Sequence, residues 1–573
     1  MSIAAVGPAF DPARWRRRLA VALGEAPADL LLAGGSVLDI HTGEIRRADV
    51  AIVDGVIARV GDPTAAARVR DITGLIVAPS FIDAHIHIEC SHLWPTEFAR
   101  VVLPHGTGAV VADAHEIANV AGVPGLEAFR AAVVGLPLHV RWTIPSCVPA
   151  SPLESSGATL DAADIAPLLA WPESGALGEL MDFPGVLAGD DSIAARLAVS
   201  AGLVRDGHAP GLRGNPLQAY AGSGISSDHE STTAAEALEK LRAGLMIVIR
   251  QGSSEHNLHD LLPIVTPLTA HRCTFGSDDR DPHDLVSSGH IDATLRLAIA
   301  DGLDPALAYR MATWNPAQHW RFPGIGAVVP GYEANLVLLA DLHRVEVVAT
   351  LFRGEIVAER GRCLASIPPI AAPDVLRHSV NVAPVLGRDL RLAPADATRA
   401  IVAIPGQIVT GIAEVEPRIV GNAAVSDPAR DLLKIVCVER HHATGRVGVA
   451  YVRGFGLKRG ALATTIAHDA HNILAVGVDD ADILGAIAVV GESQGGLAVV
   501  ADGRVEAHLE LPIAGLLSDL PAGETAAAYD ACESAARALG STLPSPFGLL
   551  AFMALSVIPA ARVSDRGLIT IGD

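Results

Sequence analysis

Lysine is nearly missing from this 573-residue chain: three occur, at 240, 434 and 458, so almost all of the basic charge is arginine. Any chemistry that needs a lysine amine therefore has very few candidates. Cysteine is sparse and scattered, at 90, 147, 273, 363, 437 and 532, with no CxxC pair; this excludes a disulfide framework and fits the reduced thiols of a cytoplasmic protein. No apolar run reaches the ~20 residues that span a bilayer, and the longest, Phe547 to Ala561, carries Pro559 near its end and reads as buried core. At the N-terminus Arg14 to Arg18 precede apolar residues, but Gly24, Glu25 and Asp29 break the run too early for a signal peptide. Positive charge is also short, with 43 Lys plus Arg against 64 Asp plus Glu and a net charge of −21. That argues against nucleic acid or an anionic membrane as the main partner, since both reward clustered positive charge, and favours a small neutral or cationic ligand.

What is present is enough apolar residue, 50 %, to fill more than one core. Residues 1–28 read as an N-terminal helical extension. Residues 29–75 carry short β-segments with turn signals, Leu30 to Ala33, Ala48 to Val53 and Val56 to Val60, the last two joined by Asp54-Gly55, a strong hairpin signal. The same texture returns over 323–365, so the two flanks predict one composite β-sandwich domain. Between them, 76–322 alternates apolar strands (Leu75 to Ala78, Ala109 to Ala112, Met246 to Ile249) with helical stretches, the pattern and size of a (β/α)8 TIM-type barrel. The doubly wound alternative lacks a GxGxxG fingerprint. One helix is especially legible: Thr233 and Glu236 form a capping box, Glu236 and Lys240 an i,i+4 pair, and Gly244 ends it. After a Pro- and Ala-rich link, 366–573 reads as a separate α+β C-terminal domain.

The sharpest local signal is Phe81-Ile82-Asp83-Ala84-His85-Ile86-His87. Residues two apart in a strand share a face, so His85 and His87 present two imidazoles to one point at a strand's C-terminal end. Glu179, His208, His229 and Asp278 follow at intervals of 29, 21 and 49 residues, steps of one or two βα units, several of them after short apolar segments. Four histidines and two carboxylates are enough ligands for two divalent ions sharing one bridging carboxylate.

In these residues the chain resembles the amidohydrolase superfamily and, more narrowly, the bacterial adenine deaminase family. The resemblance extends through Pro79 to Glu89, Asp113-Ala114-His115-Glu116-Ile117, Gly178-Glu179-Leu180-Met181-Asp182-Phe183-Pro184-Gly185, Asp206-Gly207-His208 and Ala467-His468-Asp469-Ala470-His471-Asn472. It implies metal ligands at His85, His87, Glu179, His208, His229 and Asp278. It also implies a binuclear centre of Mn2+ or Fe2+, with Zn2+ compatible, that hydrolyses the small-molecule purine base adenine to hypoxanthine and ammonia. Lys240, the only lysine of the barrel region, falls inside a helix, so a carboxylate, Glu179, stands where related enzymes use a carboxylated lysine.

Adenine C6 is a poor electrophile and its amino group a poor leaving group, so water must be activated and the ring protonated. Asp278 is the expected base, Glu116 the expected ring-protonating acid with His115 orienting it, and Asp279 the expected acceptor for a purine N–H. Glu230 is expected to support His229 rather than to ligate. His92, His105 and His283 are expected to serve solvent or packing. Gln251 departs from the Arg-Glu-Gly-Ser usual in the family, which puts any charge role there in doubt. The pair His468 and His471 is expected to form a hydrogen-bonded structural cluster or an interface. A homodimer or higher homo-oligomer is expected. Alternatives are a deaminase of an N6-substituted adenine or other aminopurine, and a cyclic amidohydrolase, against which the missing lysine counts. The cytidine-deaminase type is excluded because its Pro-Cys-x-x-Cys signature is absent.

Overall fold

A computed structural model describes residues 10–558 and 560–571. The helix Pro12–Ala22 starts where the Asp11 carboxylate accepts the Ala13 amide at 2.8 Å. Residues 1–9 of the expected helical extension lie outside the described residues. Two sheets follow from the flanks. One has four strands and includes Asp49–Val53 and Val56–Gly61, whose turn holds Asp54 and Gly55 at φ 53° and 75°, the left-handed pair a tight hairpin needs. The other has seven strands drawn from both flanks, with Ile76–Pro79 paired antiparallel to Leu336–Asp341 and parallel to Ser36–Leu38. Leu32, Val50, Ile52, Val77, Leu338 and Leu351 fill the space between the sheets.

The run Leu75 to Ala78 is thus not the first strand of the parallel set, as its position predicts, but a member of this β-layer; the parallel strands start at Phe81. A four-residue apolar run has no periodicity to say which sheet will bury it.

Eight parallel strands make up the middle. Phe81–Ile86, Thr107–Asp113, His139–Ile144, Ser174–Leu180 and Val204–Gly207 form one sheet, and Ser227–Asp228, Met246–Arg250 and Cys273–Gly276 a second. The first and last strands are tied by a parallel bridge, Ile86 to Asp278, with the Asp278 amide donating to the His85 carbonyl at 2.9 Å. Alternate residues divide the core. Ile82, Ala84, Ala109, Val111 and Val248 pack inward with Trp320, whereas Ile247 and Ile249 pack outward on helix residues such as Ala237 and Leu295.

The C-terminal region is built on an eight-stranded sheet. On one face Ala463, Ala475 and Val500 pack under the helix Asp480–Glu492. On the other Leu462, Leu474, Leu497 and Val499 join a cluster that runs on into Phe98, Ile117 and Phe129 of the parallel-strand region. Lys434, buried in this sheet, reaches Asp480 at 2.8 Å. The Phe547 to Ala561 run begins in the helix Pro546–Ala551 and a 3-10 turn Phe552–Ala554, and no helix among the described residues is long and apolar enough to cross a membrane.

The helix Ala234–Arg242 shows one departure. Thr233 Oγ1 accepts the Glu236 amide at 3.3 Å, but the Glu236 carboxylate does not return to the cap. It accepts the Gly211 amide at 2.9 Å and Lys240 at 2.9 Å instead. Lys240, fully buried, also donates to Asp228 at 2.7 Å and to the Ala209 carbonyl at 2.8 Å, so it joins the segments that carry His208 and His229. Lys240→Met strands two buried carboxylates, and we expect a loss of about 3–5 kcal/mol, read as a lowered denaturation midpoint with circular dichroism. An unchanged midpoint would mean that these carboxylates are compensated elsewhere.

Candidate metal and active site

The six expected ligands converge at the C-terminal ends of the parallel strands. His85 lies in Phe81–Ile86, Glu179 in Ser174–Leu180, and His208, His229 and Asp278 just past the ends of three later strands. The Nε2 atoms of His85 and His87 are 3.2 Å apart. Asp278 Oδ1 sits 3.3 Å from the first and 3.1 Å from the second. Glu179 Oε1 is 3.3 Å from His87 Nε2 and 3.8 Å from His85 Nε2. Its other oxygen, Oε2, faces away to His208 Nδ1 at 2.7 Å and His229 Nε2 at 3.2 Å. One buried carboxylate therefore offers an oxygen to each of two donor groups.

These residues fit divalent metal ions. The outer edges fix two tautomers: His85 Nδ1 donates to Asp206 Oδ2 at 2.9 Å and His87 Nδ1 to the Asp113 carbonyl at 2.8 Å, leaving both Nε2 lone pairs turned inward. Facing lone pairs repel unless a cation lies between them. Ligand atoms held ~2.1 Å from a shared ion stand roughly 3.0–3.4 Å apart, close to the spacings given above. Buried polar atoms without a hydrogen-bond partner gather here as well, among them His229 Nδ1, His208 Nε2 and Glu230 Oε2. Carboxylate charge is in excess, since Glu179, Glu230, Asp278 and Asp279 share the space with a single guanidinium, Arg250.

Burial would raise the Glu179 pKa, but His229, His115 and His208 hold its carboxyl well below the usual range. Against the same cost of burial, Arg250 keeps Asp278 ionised, with Nη1 2.8 Å from Asp278 Oδ2 and 2.6 Å from Glu230 Oε1. Asp278 has a left-handed backbone, φ 61°, which turns its carboxylate into the cluster while the chain stays bonded to His85 and His87. Asp279 faces the adjoining wall: Oδ2 accepts the Ser254 amide at 2.9 Å and Oδ1 is buried with no partner. Burial and the Asp278 charge push its pKa up to about 7. A side chain at Gly252 would come within 1.9 Å of Asp279 Oδ1, so this turn requires glycine. Gln251 turns to His256 at 2.9 Å and lines neither compartment of the cavity described below.

His115 Nδ1 stands 3.3 Å from Glu179 Oε1, and its Nε2 stands 3.7 Å from Asp469 Oδ1. Glu116, expected to present an acid to the ring, is instead engaged at both oxygens by the C-terminal region: Oε1 with His468 Nδ1 at 2.6 Å and Oε2 with His471 Nε2. The histidine pair expected to form a hydrogen-bonded structural cluster or an interface is hydrogen-bonded to Glu116, and His468 also lines the cavity. Its loop is fixed by Arg440, which donates to the His471 carbonyl, and by Asn472 Nδ2, which donates to the Ser155 carbonyl at 2.8 Å.

The cavity has two joined compartments. The one over the six candidate ligands is roofed by Ile408, Met181, Phe552 and Leu555 together with His468 and Asp469. The second shares Cys90, Asp279, His468 and Phe552 and is walled by Tyr529 and Phe547. His92 belongs to this wall rather than to solvent or general packing, whereas His105 pairs with Asp292 at 3.2 Å and His283 with Asp530 at 2.8 Å. Arg250, Asp206, Asp113, Asp469 and Phe552 went unpredicted. Asp113, Asp206 and Asp469 stood in the motifs quoted above without an assigned role, and Arg250 in a motif whose next residue departs from the family pattern.

Comparison with known proteins matches residues 76–357 to the Amidohydrolase family and residues 407–573 to the Adenine deaminase C-terminal domain. The Adenine deaminase of Dehalococcoides mccartyi (strain ATCC BAA-2266 / KCTC 15142 / 195) is 43% identical over 552 residues, covering 96% of each chain. That of Desulfatibacillum aliphaticivorans is 43% identical over 556 residues, with 96% of this chain and 97% of the relative covered. That of Methanoregula boonei is 45% identical over 548 residues, with 96% and 95% covered.

The outer hydrogen bonds of the histidines give a direct test. Asp206→Asn removes the anion that holds the His85 proton on Nδ1, and metal affinity is expected to fall about 10- to 100-fold, read as occupancy after dialysis against graded chelator. Occupancy equal to the wild type would detach Asp206 from the ligand geometry.

Proposed function

The chain belongs to the adenine deaminase family of amidohydrolases, and from that premise we propose that it hydrolyses adenine to hypoxanthine and ammonia at a centre of two divalent ions. The observation that carries this reading is the Glu179 carboxylate, with one oxygen toward His85 and His87 and the other toward His208 and His229. His85, His87 and Asp278 would hold one ion, His208 and His229 the other, and Glu179 both. We read the eight parallel strands as one (β/α)8 barrel, closed at the Ile86–Asp278 bridge. Residues 29–79 with 323–365 form its companion β-domain, and 366–573 a C-terminal domain that covers the mouth.

Divalent ions of this kind supply the acidity that makes water a nucleophile near neutral pH, lowering its pKa from 15.7 to roughly 7. The protein's own groups do the rest. Asp278, kept ionised by Arg250, accepts the proton of the water that adds to C6, and later yields it to the departing amino group. Asp279 Oδ1, buried and unpartnered, is the acceptor offered to a purine N–H. Phe552, Leu555, Ile408 and Met181 exclude bulk water and give the flat base an apolar bed. Lys240 is held by two carboxylates and a carbonyl, and so is not free to become a carboxylated bridge in the manner of cyclic amidohydrolases. The second compartment favours one further reading, an aminopurine with a substituted amino group, because its apolar wall offers room beyond the ligands.

The test is ammonia release from adenine by protein supplied with Mn2+, alongside the adenine-to-hypoxanthine absorbance change. We expect turnover that a chelator abolishes; turnover of N6-methyladenine alone would move the assignment to the substituted base. Asp278→Asn should lower kcat by about 10²–10⁴-fold, and a near-normal rate would show that another group takes the proton.

A further inference from the structure

Glu116 was the expected acid, yet its surroundings argue against that task and offer another group. The Ala467 amide donates to His471 Nδ1 at 3.2 Å, so that nitrogen is an acceptor and the ring proton sits on Nε2, directed at Glu116 Oε2. His468 Nδ1 donates to the other oxygen at 2.6 Å. With both oxygens accepting and the side chain buried, Glu116 is an ionised carboxylate that orients its neighbours, and its carboxyl is held well below the usual range: His468 and His471 outweigh its burial. The same contacts leave His468 with its second nitrogen, Nε2, uncommitted among the described residues. Its ring stacks on Phe552, centroids 4.7 Å apart, and lines both compartments of the cavity.

We infer that His468, a residue of the C-terminal region, is the proton donor to the purine ring, with Glu116 as the carboxylate that positions it. This rests on the adenine reading above. Water adds its oxygen to C6 and gives one proton to Asp278. The C6–N1 π pair moves onto N1, which takes the proton from His468 Nε2. The proton on Asp278 passes to the amino nitrogen, the C6–N bond breaks and ammonia leaves. The remaining hydroxyl proton is released as the C=O forms and restores His468. Carboxylate, imidazole and substrate then stand in line, the arrangement by which a buried anion favours the charged ring it holds. In keeping with this, Glu116 and Asp469 outweigh burial and raise the His468 pKa. A metal ion at Cys90, Glu116 and His468 is disfavoured by the same contacts, since both Glu116 oxygens are engaged and burial raises the Cys90 thiol.

The experiment compares the metal-loaded full chain with His468→Gly, His468→Gln and Glu116→Gln, measuring kcat and KM for adenine, metal content, and the response to added imidazole. Both His468 variants should keep their metal and lose about 10²–10⁴-fold in kcat. Imidazole should return part of the rate to His468→Gly only, and Glu116→Gln should lower kcat more than it alters KM. A kcat within about threefold of wild type in either His468 variant overturns the proposal, as does a fall matched by metal loss in both, or a fall in His468→Gly that imidazole leaves untouched. Wild-type protein with metal but no adenine turnover would overturn the adenine reading and this proposal with it. Active wild type beside unaffected variants would overturn the proton donor alone.

Discussion

The site depends on keeping one carboxylate, Glu179, charged while fully buried. An isolated carboxylate in that position would take up a proton, because burial penalises its charge. The imidazoles of His229, His115 and His208, brought by segments far apart in sequence, prevent this, and the rest of the cluster must be aimed around them. Asp206 and the Asp113 carbonyl aim His85 and His87, while Lys240 ties down the segments that bring His208 and His229. Much of the remaining polar interior can be understood as support for that arrangement, including the Arg250 bridge between Asp278 and Glu230.

Parallel strands suit this task for a geometric reason. Their C-terminal ends all open on one side, so residues separated by whole βα units arrive at one mouth without long excursions of the chain. The Ile86–Asp278 bridge joins the first strand to the last within this mouth, and the residues that close the strand set lie within one position of His85, His87 and Asp278 themselves. The backbone contact that closes the set and the donor cluster are therefore built from the same few residues.

The candidate ligands were legible in the sequence because His85 and His87 are an i,i+2 pair on a strand, several of the others follow short apolar segments, and all six fall in motifs shared with the family the chain resembles. The hairpin at Asp54-Gly55 and the helix capped by Thr233 were legible from local patterns as well. Leu75 to Ala78 was misplaced because four apolar residues say they will be buried but not against what. The partners of Glu116 were hidden for a different reason. His468 and His471 lie about 350 residues away, and nothing near them in sequence shows that they turn toward a helix start in the other half of the chain. Asp206 and Asp113 were missed because an outer hydrogen bond to a ligand has no sequence signature of its own.

The cavity is assembled from two lengths of chain that emerge from the ribosome far apart in time. Once residue 278, two past the last parallel strand, has been made, His85, His87, Glu179, His208, His229 and Asp278 all exist, but Glu116 lacks both of its histidines and Phe552 has not been synthesised. The apolar residues of the parallel-strand region that later meet Leu462, Leu474 and Leu497 are likewise uncovered. The candidate metal donors thus precede the walls of the cavity, and a translation product cut short just after the last parallel strand and Asp278 would carry those donors without the chamber above them.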